Sequence, residues 1–245
     1  MRVLALAGYG SVCYAASMVS LVVLFSWLGG FAFFPIRLDE GGGPFSFAAF
    51  AWNTTIMIVF ALYHSVFART VVKQRTRALV GRNLERATYN LVSAVLAVLL
   101  CLAWRPIPIR LWELPSPEAA YAMHAAYVAL WVVHMTSIAL MNHNDFFGLR
   151  QIGFAMRGEA YRPLPPVSRG YYLSTRLALV ISLVLIPWAS PVMTAGRLQL
   201  CVFMTVYTVL GAWLSNRDGG ELMTVPAPGF SPSTSGPVAG KTNPV

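Results

Sequence analysis

The sequence predicts an all-α fold: a polytopic membrane bundle of about six transmembrane helices, with its N- and C-termini in the cytoplasm. Three observations carry this expectation. Only 11% of the 245 residues are charged and 57% are hydrophobic, whereas a soluble domain carries about 25% charged residues. A surface so poor in charge is one that lipid covers. Six stretches lack Asp, Glu, Lys and Arg, and they approach or exceed the roughly 20 residues that cross a hydrocarbon core at about 1.5 Å per residue. The basic residues also gather in alternate loops, which the positive-inside rule places in the cytoplasm.

The first run, Val3–Ile36, follows Arg2. It is too long for a signal-peptide core of about 7–15 residues and reads as a retained helix. An outer turn at Arg37–Pro44 with three consecutive glycines leads into the second run, Gly41–Ala68. Segment Arg69–Arg86 then sets Arg69, Lys73, Arg75, Arg77, Arg82 and Arg86 against Glu85 alone. The third run, Ala87–Trp104, is the shortest, and snorkelling of Arg86 and Arg105 extends it. Pro106–Pro117 is a proline-rich outer loop. The fourth run, Ala119–Asn144, enters a cytoplasmic loop holding Arg150, Arg157, Arg162 and Arg169. Pro163, Pro165 and Pro166 in that loop stop any helix continuing from Phe147–Arg157. The fifth and sixth runs, Leu177–Gly196 and Leu198–Asn216, are separated only by Arg197 and read as a tight helical hairpin, with Pro187 kinking the fifth. Residues 1–223 form the bundle. Residues 224–245, with Pro226, Pro228, Pro232, Pro237 and Pro244 among Gly and Ser, form a disordered tail.

Function classes narrow accordingly. The net charge of +9 sets topology, and no nucleic-acid partner is expected. No internal repeat supports a transporter built from inverted halves. Cys13, Cys101 and Cys201 all lie in apolar runs without a Cys-x-x-Cys, so they read as inert buried thiols and no metal site is expected.

The polar residues at membrane depth are the candidates for chemistry. His64 stands near the cytoplasmic end of the second run as a proton carrier, a ligand or substrate contact, or a helix-packing histidine near Ser65 and Arg69. Along the fourth run, about 100° per residue puts His134 and His143 on opposite faces, so a metal pair on one helix is excluded. A haem held by His64 and His134 from different helices stays open as the weaker alternative. Asn142, His143, Asn144, Asp145, Arg150 and Gln151 cluster where this run leaves the membrane. They read either as a solvated helix end, with Asp145 and Arg150 pairing with Arg86 and Glu85, or as the wall of a polar pocket floored by Phe146, Phe147 and Tyr161. Arg176, inside the fifth run, either snorkels or binds a carboxylate bidentately.

These residues resemble the nurim family, which includes the bacterial membrane-bound methanethiol S-methyltransferases. The resemblance runs from about Tyr63 to about Asp218. It rests on His64-Ser65 with Ala68-Arg69, on Leu84-Glu85-Arg86 with Tyr89, on Trp104-Arg-Pro106 followed by Leu111-Trp-Glu113, and on Asn142-His-x-Asp145-x-Phe-Gly-Leu-Arg-Gln151. The family is similar in fold to the isoprenylcysteine carboxyl methyltransferases and NnrU-like proteins, helical membrane bundles with a site at the cytoplasmic face. The resemblance implies S-adenosylmethionine as cofactor with Arg176 among its binding residues; Asp218, Glu221 and Arg150 are the candidates to complete that site, and His64, His143 and Asp145 the candidate catalytic groups. The sequence departs from the family at the cofactor motifs. An Arg-His-Pro-x-Tyr motif aligns with Arg176-Leu177-Ala178-Leu179-Val180, where only the arginine remains, and a Glu-Glu pair aligns with Ser215-Asn216. Each charged hydrogen bond lost to the cofactor costs about 1.5–3 kcal/mol, unless Asp218 or Glu221 substitutes.

Three readings therefore stand. The chain is a divergent family member with weakened or lost methyl transfer, acting as a membrane scaffold or partner subunit. Alternatively it is an active methyltransferase for a small thiol or lipophilic acceptor, with His64 or His143 as base and Asp145 orienting it. The third is a haem- or metal-binding NnrU-like protein. Membrane lipid is the expected surroundings in each case, and the bacterial inner membrane the expected location.

Overall fold

The computed structural model describes residues 1–31, 37–40, 44–164 and 169–222, without the side chains of 68, 70, 169, 170, 172 and 215–222. Nine α-helices are found among these residues: α1 (Arg2–Gly29), α2 (Phe47–Ala68), α3 (Thr70–Val80), α4 (Glu85–Ala103), α5 (Pro117–Leu140), α6 (His143–Phe146), α7 (Leu149–Met156), α8 (Arg169–Leu185) and α9 (Ala195–Leu222). Five of them, α1, α2, α4, α5 and α9, are long and apolar enough to cross a membrane, and Leu173–Trp188 is a shorter apolar helix beside them. The all-α polytopic bundle expected from the charge-free runs is the architecture observed. Residues 224–245, read from the sequence as a disordered tail, lie outside the described residues.

Helix ends follow local chemistry. Ser46 and Ser116 cap α2 and α5 by accepting the backbone N–H groups of Ala49 and Ala119 at 3.2 Å, which satisfies donors a helix start leaves orphaned. Gly30, with φ 68°, closes α1 in the left-handed conformation. At the end of α4, the Trp52 indole donates to the Ala103 carbonyl at 2.7 Å. Asn53, fully buried, donates to the Arg105 carbonyl and accepts the Arg105 N–H, at 2.8 and 3.0 Å. The last carbonyl of α4 and the Arg105 carbonyl just beyond it thus find donors on α2 where lipid offers none.

The helices run up and down between two faces. On one face the end of α2, all of α3, the start of α4, and α6 and α7 come together; this face gathers most of the arginines. On the opposite face β1 (Arg110–Glu113) pairs antiparallel with β2 (Val192–Thr194). The packing core is aromatic. Trp27, Met57, Cys101, Trp104 and Leu200 join α1, α2, α4 and α9, and Tyr127 and Trp131 pack with Ile186 and Ala189. All three cysteines are free and buried.

Four sequence expectations need correction. Arg69–Arg86 is not a loop: Arg69 breaks α2 with extended backbone (φ −71°, ψ 138°), and the chain turns into the separate helix α3. Second, α8 does not continue through a kink at Pro187. It ends in a single 3-10 turn, Ile186–Trp188, because proline supplies no N–H to carry the helix on, and residues 192–194 form β2 instead. Third, Arg197 is not a hairpin-loop charge. It lies in the first turn of α9 and is 1% exposed. Fourth, α5 ends at Leu140, so His143 sits on α6 and not on the helix of His124 and His134.

Candidate functional site

The basic face carries the cluster that the Asn142–Gln151 sequence announces. Asn142 is the one non-glycine residue with positive φ (75°) among the described residues, a conformation asparagine tolerates better than most. Its side-chain oxygen accepts the Asp145 N–H at 3.0 Å, which caps the start of α6. Gly148 (φ 82°) then turns the chain into α7. The result presents the Asp145 carboxylate inward. It accepts the Tyr161 hydroxyl at 2.7 Å and the Gln151 amide at 3.3 Å. Gln151 is 7% exposed, and its own carbonyl oxygen is buried without a hydrogen-bond partner.

Arg86 joins this cluster to a second one. Its Nε donates to the Phe146 carbonyl at 3.0 Å, an acceptor shared with the Asn90 amide at 2.9 Å. Its guanidinium lies 5.3 Å from the Phe146 ring centroid and 5.9 Å from that of Tyr89, within cation–π range. On the far side of Tyr89, His64 stacks edge-on at 5.7 Å and points Nδ1 at the Phe60 carbonyl at 3.2 Å. Tyr63 stacks on Tyr89 at 5.7 Å. Ser65 meets the Tyr207 hydroxyl of α9 at 3.3 Å. His64 and Asp145 are thus linked through Tyr89, Arg86 and Phe146 and make no direct contact. His143 turns instead to α1, where its Nε2 lies 3.0 Å from the Tyr14 hydroxyl.

Several expected pairings are replaced. Glu85 pairs with Arg77 on α3 at 2.9 Å, not with Arg150. Arg150 donates to the Arg162 carbonyl at 3.2 Å and stands over the rings of Phe154 and Tyr161. Asp145 orients neither histidine; its partners are Tyr161 and Gln151. Phe146 and Tyr161 do supply aromatic surfaces, but beneath arginines. His134, on α5, lies 3.1 Å from the Ser182 hydroxyl of α8, and among the described residues it shares no contact with His64. The two histidines thus hydrogen-bond on separate seams. No group of three or more metal-ligating side chains forms among the described residues. The sequence reading undervalued Arg86, Tyr89, Asn90 and Tyr14. The charge spacing of Glu85-Arg86 marked the segment, but bonds to a backbone carbonyl leave no side-chain signature.

Two groups of this face outside the spanning helices, Tyr161 and Lys73, have displaced protonation. Burial, together with the hydrogen bond to Asp145 and the field of its carboxylate, raises the Tyr161 phenol to about 12. Lys73 is drawn below the ordinary lysine value first by burial; Glu85 opposes this, while Arg86 and Arg77 add to it. Because the folded value of Tyr161 lies above the ordinary 10, the stabilisation from this contact is complete below about pH 10 and is lost as pH rises through about 12. Absorbance titration of the wild type minus Tyr161→Phe is expected to isolate one phenol with a midpoint near pH 12, falling toward 10 in Asp145→Asn. A wild-type midpoint at 10 would refute the contact.

Arg176 lies half-buried on α8. This helix packs along α5 and α9, not along the α4, α6 and α7 seam that carries Asp145. An S-adenosylmethionine site needs acceptors for an ammonium and ribose hydroxyls beside a cation for the carboxylate. Helix α8 contains no Asp or Glu. The carboxylates described at the basic face are engaged: Glu85 with Arg77, Asp145 with Tyr161, and Glu159 with Arg157 at 3.5 Å. The orphaned Gln151 oxygen sits on the other seam. The side chains of Asp218 and Glu221 lie outside the described residues.

Comparison with known proteins sets this geometry in context. The chain is 31% identical to methanethiol S-methyltransferase 1 of Bradyrhizobium diazoefficiens, over 86% of its own length and 73% of the relative's. It is 31% identical to the methanethiol S-methyltransferase of Mycobacterium tuberculosis, over 83% and 85%. Identity to nurim of Danio rerio is 25%, over 69% and 64%. No protein-family model matches the chain, and no solved structure does. Similarity at this level across most of both sequences, in a multi-pass helical bundle, means that the chain belongs to the methanethiol S-methyltransferase and nurim family of membrane proteins.

Proposed function

We propose that this chain is a divergent member of its family in which S-adenosylmethionine-dependent methyl transfer is weakened or lost, and that it acts in the bacterial inner membrane as a scaffold or partner subunit, with the basic face in the cytoplasm. The observation that carries this reading is the sequence of the helix that follows Arg176. The next four residues are Leu177, Ala178, Leu179 and Val180, helix α8 has no carboxylate, and Leu177 is 59% exposed toward what is lipid in a membrane. The Asp145 carboxylate is meanwhile occupied by Tyr161 and Gln151.

The second reading, an active methyltransferase for a small thiol or lipophilic acceptor, is favoured by the names of the relatives at about 30% identity. One measurement separates the two. Full-length protein in detergent is titrated with S-adenosylmethionine while its thermal unfolding is followed, and methanethiol is then added and dimethyl sulfide measured in the headspace. The first reading expects no stabilisation at about millimolar cofactor and no dimethyl sulfide. A ligand at 100 times its Kd stabilises by about 2.7 kcal/mol, and a shift of that size with product formation would establish the second. Co-purification of another membrane subunit in fixed ratio supports the first.

A further inference from the structure

Helix α3 is the part of the basic face that the Asp145 and His64 clusters do not use. It leaves α2 where Arg69 breaks that helix and returns to α4 after Gly81, so its 11 residues join the ends of two helices long enough to span a membrane. Its inner side is accounted for: Arg77 pairs with Glu85, and Lys73 is half-buried near the same carboxylate. Its outer side is not. Val71, Arg75 and Leu79 follow one another at i, i+4 and i+8, forming a single stripe that winds by only about 40° per step. Val71 is 62% and Leu79 86% exposed, with exposed Arg75 between them. A soluble surface gains nothing from such a stripe. At a membrane surface the two apolar side chains enter the acyl boundary and the arginine stays at phosphate level.

A second feature adjoins the C-terminal end of this stripe. A cleft of about 360 Å³ is lined by Val80, Gly81, Arg82 and Asn83 from the α3–α4 turn, by Arg2 at the start of α1, and by Glu159 and its neighbours after α7. The carboxylate of Glu159 is paired with Arg157. Arg2, Arg75 and Arg82 are exposed and make no ion pair among the described residues. The cleft is thus an anion-sized recess with two cations at its lining, beside a helix face shaped for lipid.

We propose that α3 and this cleft form a binding site for an anionic phospholipid, with the phosphodiester headgroup held between Arg2 and Arg82, Arg75 contacting a neighbouring phosphate, and Val71 and Leu79 seated against the acyl chains. The site is independent of whether the chain transfers methyl groups. Its occupant is a membrane lipid and not a soluble phosphate, because the apolar stripe contributes only when a chain or bilayer lies against it.

The test is native mass spectrometry of the full-length protein in detergent, titrated with dioleoyl phosphatidylglycerol or dioleoyl phosphatidylcholine. The wild type is expected to retain phosphatidylglycerol preferentially. Changing Arg2, Arg75 and Arg82 to Gln is expected to weaken phosphatidylglycerol binding roughly fivefold per arginine and to abolish the preference. Changing the same three to Lys should keep most of it, which separates charge from misfolding. Glycerol phosphate at millimolar concentration should not displace the lipid. Equal retention of the two lipids by the wild type, an unchanged preference in the Gln variant, or displacement by glycerol phosphate would each overturn the proposal.

Discussion

Replacing Asp39 with alanine is expected to destabilise the bundle by about 3–5 kcal/mol, because it strands a cation that has no route to water. The Arg197 side chain is only 2% exposed. Its Nε and Nη2 donate to Asp39 Oδ2 at 2.9 and 2.5 Å, and Nη1 donates to the Leu28 and Pro187 carbonyls at 2.9 and 3.4 Å. Thr194 completes the arrangement by donating to Asp39 Oδ1 at 2.6 Å and accepting the Arg197 N–H at 3.1 Å, so it also caps α9. One guanidinium thereby ties the end of α1, the loop after it, the end of α8 and the start of α9 together on the face opposite α3. Arg197→Leu should cost less than Asp39→Ala, because the carboxylate left behind is already 23% exposed and can hydrate. The double variant should fall well short of the sum, since removing both charges leaves no buried ion to compensate. Equilibrium unfolding in mixed micelles checks all three. Additive losses, or a loss under about 1 kcal/mol in Asp39→Ala, would mean that the pair is decorative.

That clamp also shows where sequence reasoning stops. The spanning helices were legible because lipid permits only long charge-free runs, and that constraint is written locally. Arg197 was equally visible, but as a lone charge between two apolar runs it read as a loop residue. Its partner Asp39 lies 158 residues away, and no local pattern links them. Helix α3 was hidden for a related reason: Arg69–Arg86 is so rich in charge that topology dominates its reading, while the stripe of Val71 and Leu79 emerges only once the helix is placed between α2 and α4. Asp145 and Arg150 both reach Tyr161, because capping and turn residues concentrate in Asn142–Gln151. Their partners were not foreseen. Arg86 and Asn90 bind the Phe146 carbonyl, and backbone carbonyls are invisible to a reading based on side-chain chemistry.

Gly148 holds that site against α4, and Gly148→Ala is expected to cost about 2–6 kcal/mol. Two effects add. The residue has φ 82°, where a side chain incurs about 1–3 kcal/mol of strain. A Cβ there would also stand 2.7 Å from the Ala87 nitrogen and 3.0 Å from its Cα. Those are backbone atoms of a packed helix, so no rotamer change relieves the overlap, and such overpacking typically costs about 1–3 kcal/mol. Gly158 is the control that separates the two. Its φ is 73°, but a Cβ on it would meet nothing within 4 Å, so Gly158→Ala should show the strain alone. The excess cost at Gly148 measures the close approach of α7 to α4. That approach has a chemical consequence, because it sets the position of the Phe146 carbonyl relative to Arg86 and of Asp145 relative to Tyr161. Gly148→Ala should therefore also move the Tyr161 midpoint down from about 12, whereas Gly158→Ala should leave it in place. If both alanine variants unfold alike and titrate alike, the site does not depend on the α4–α7 contact, and its geometry must be held by the Asn142 turn alone.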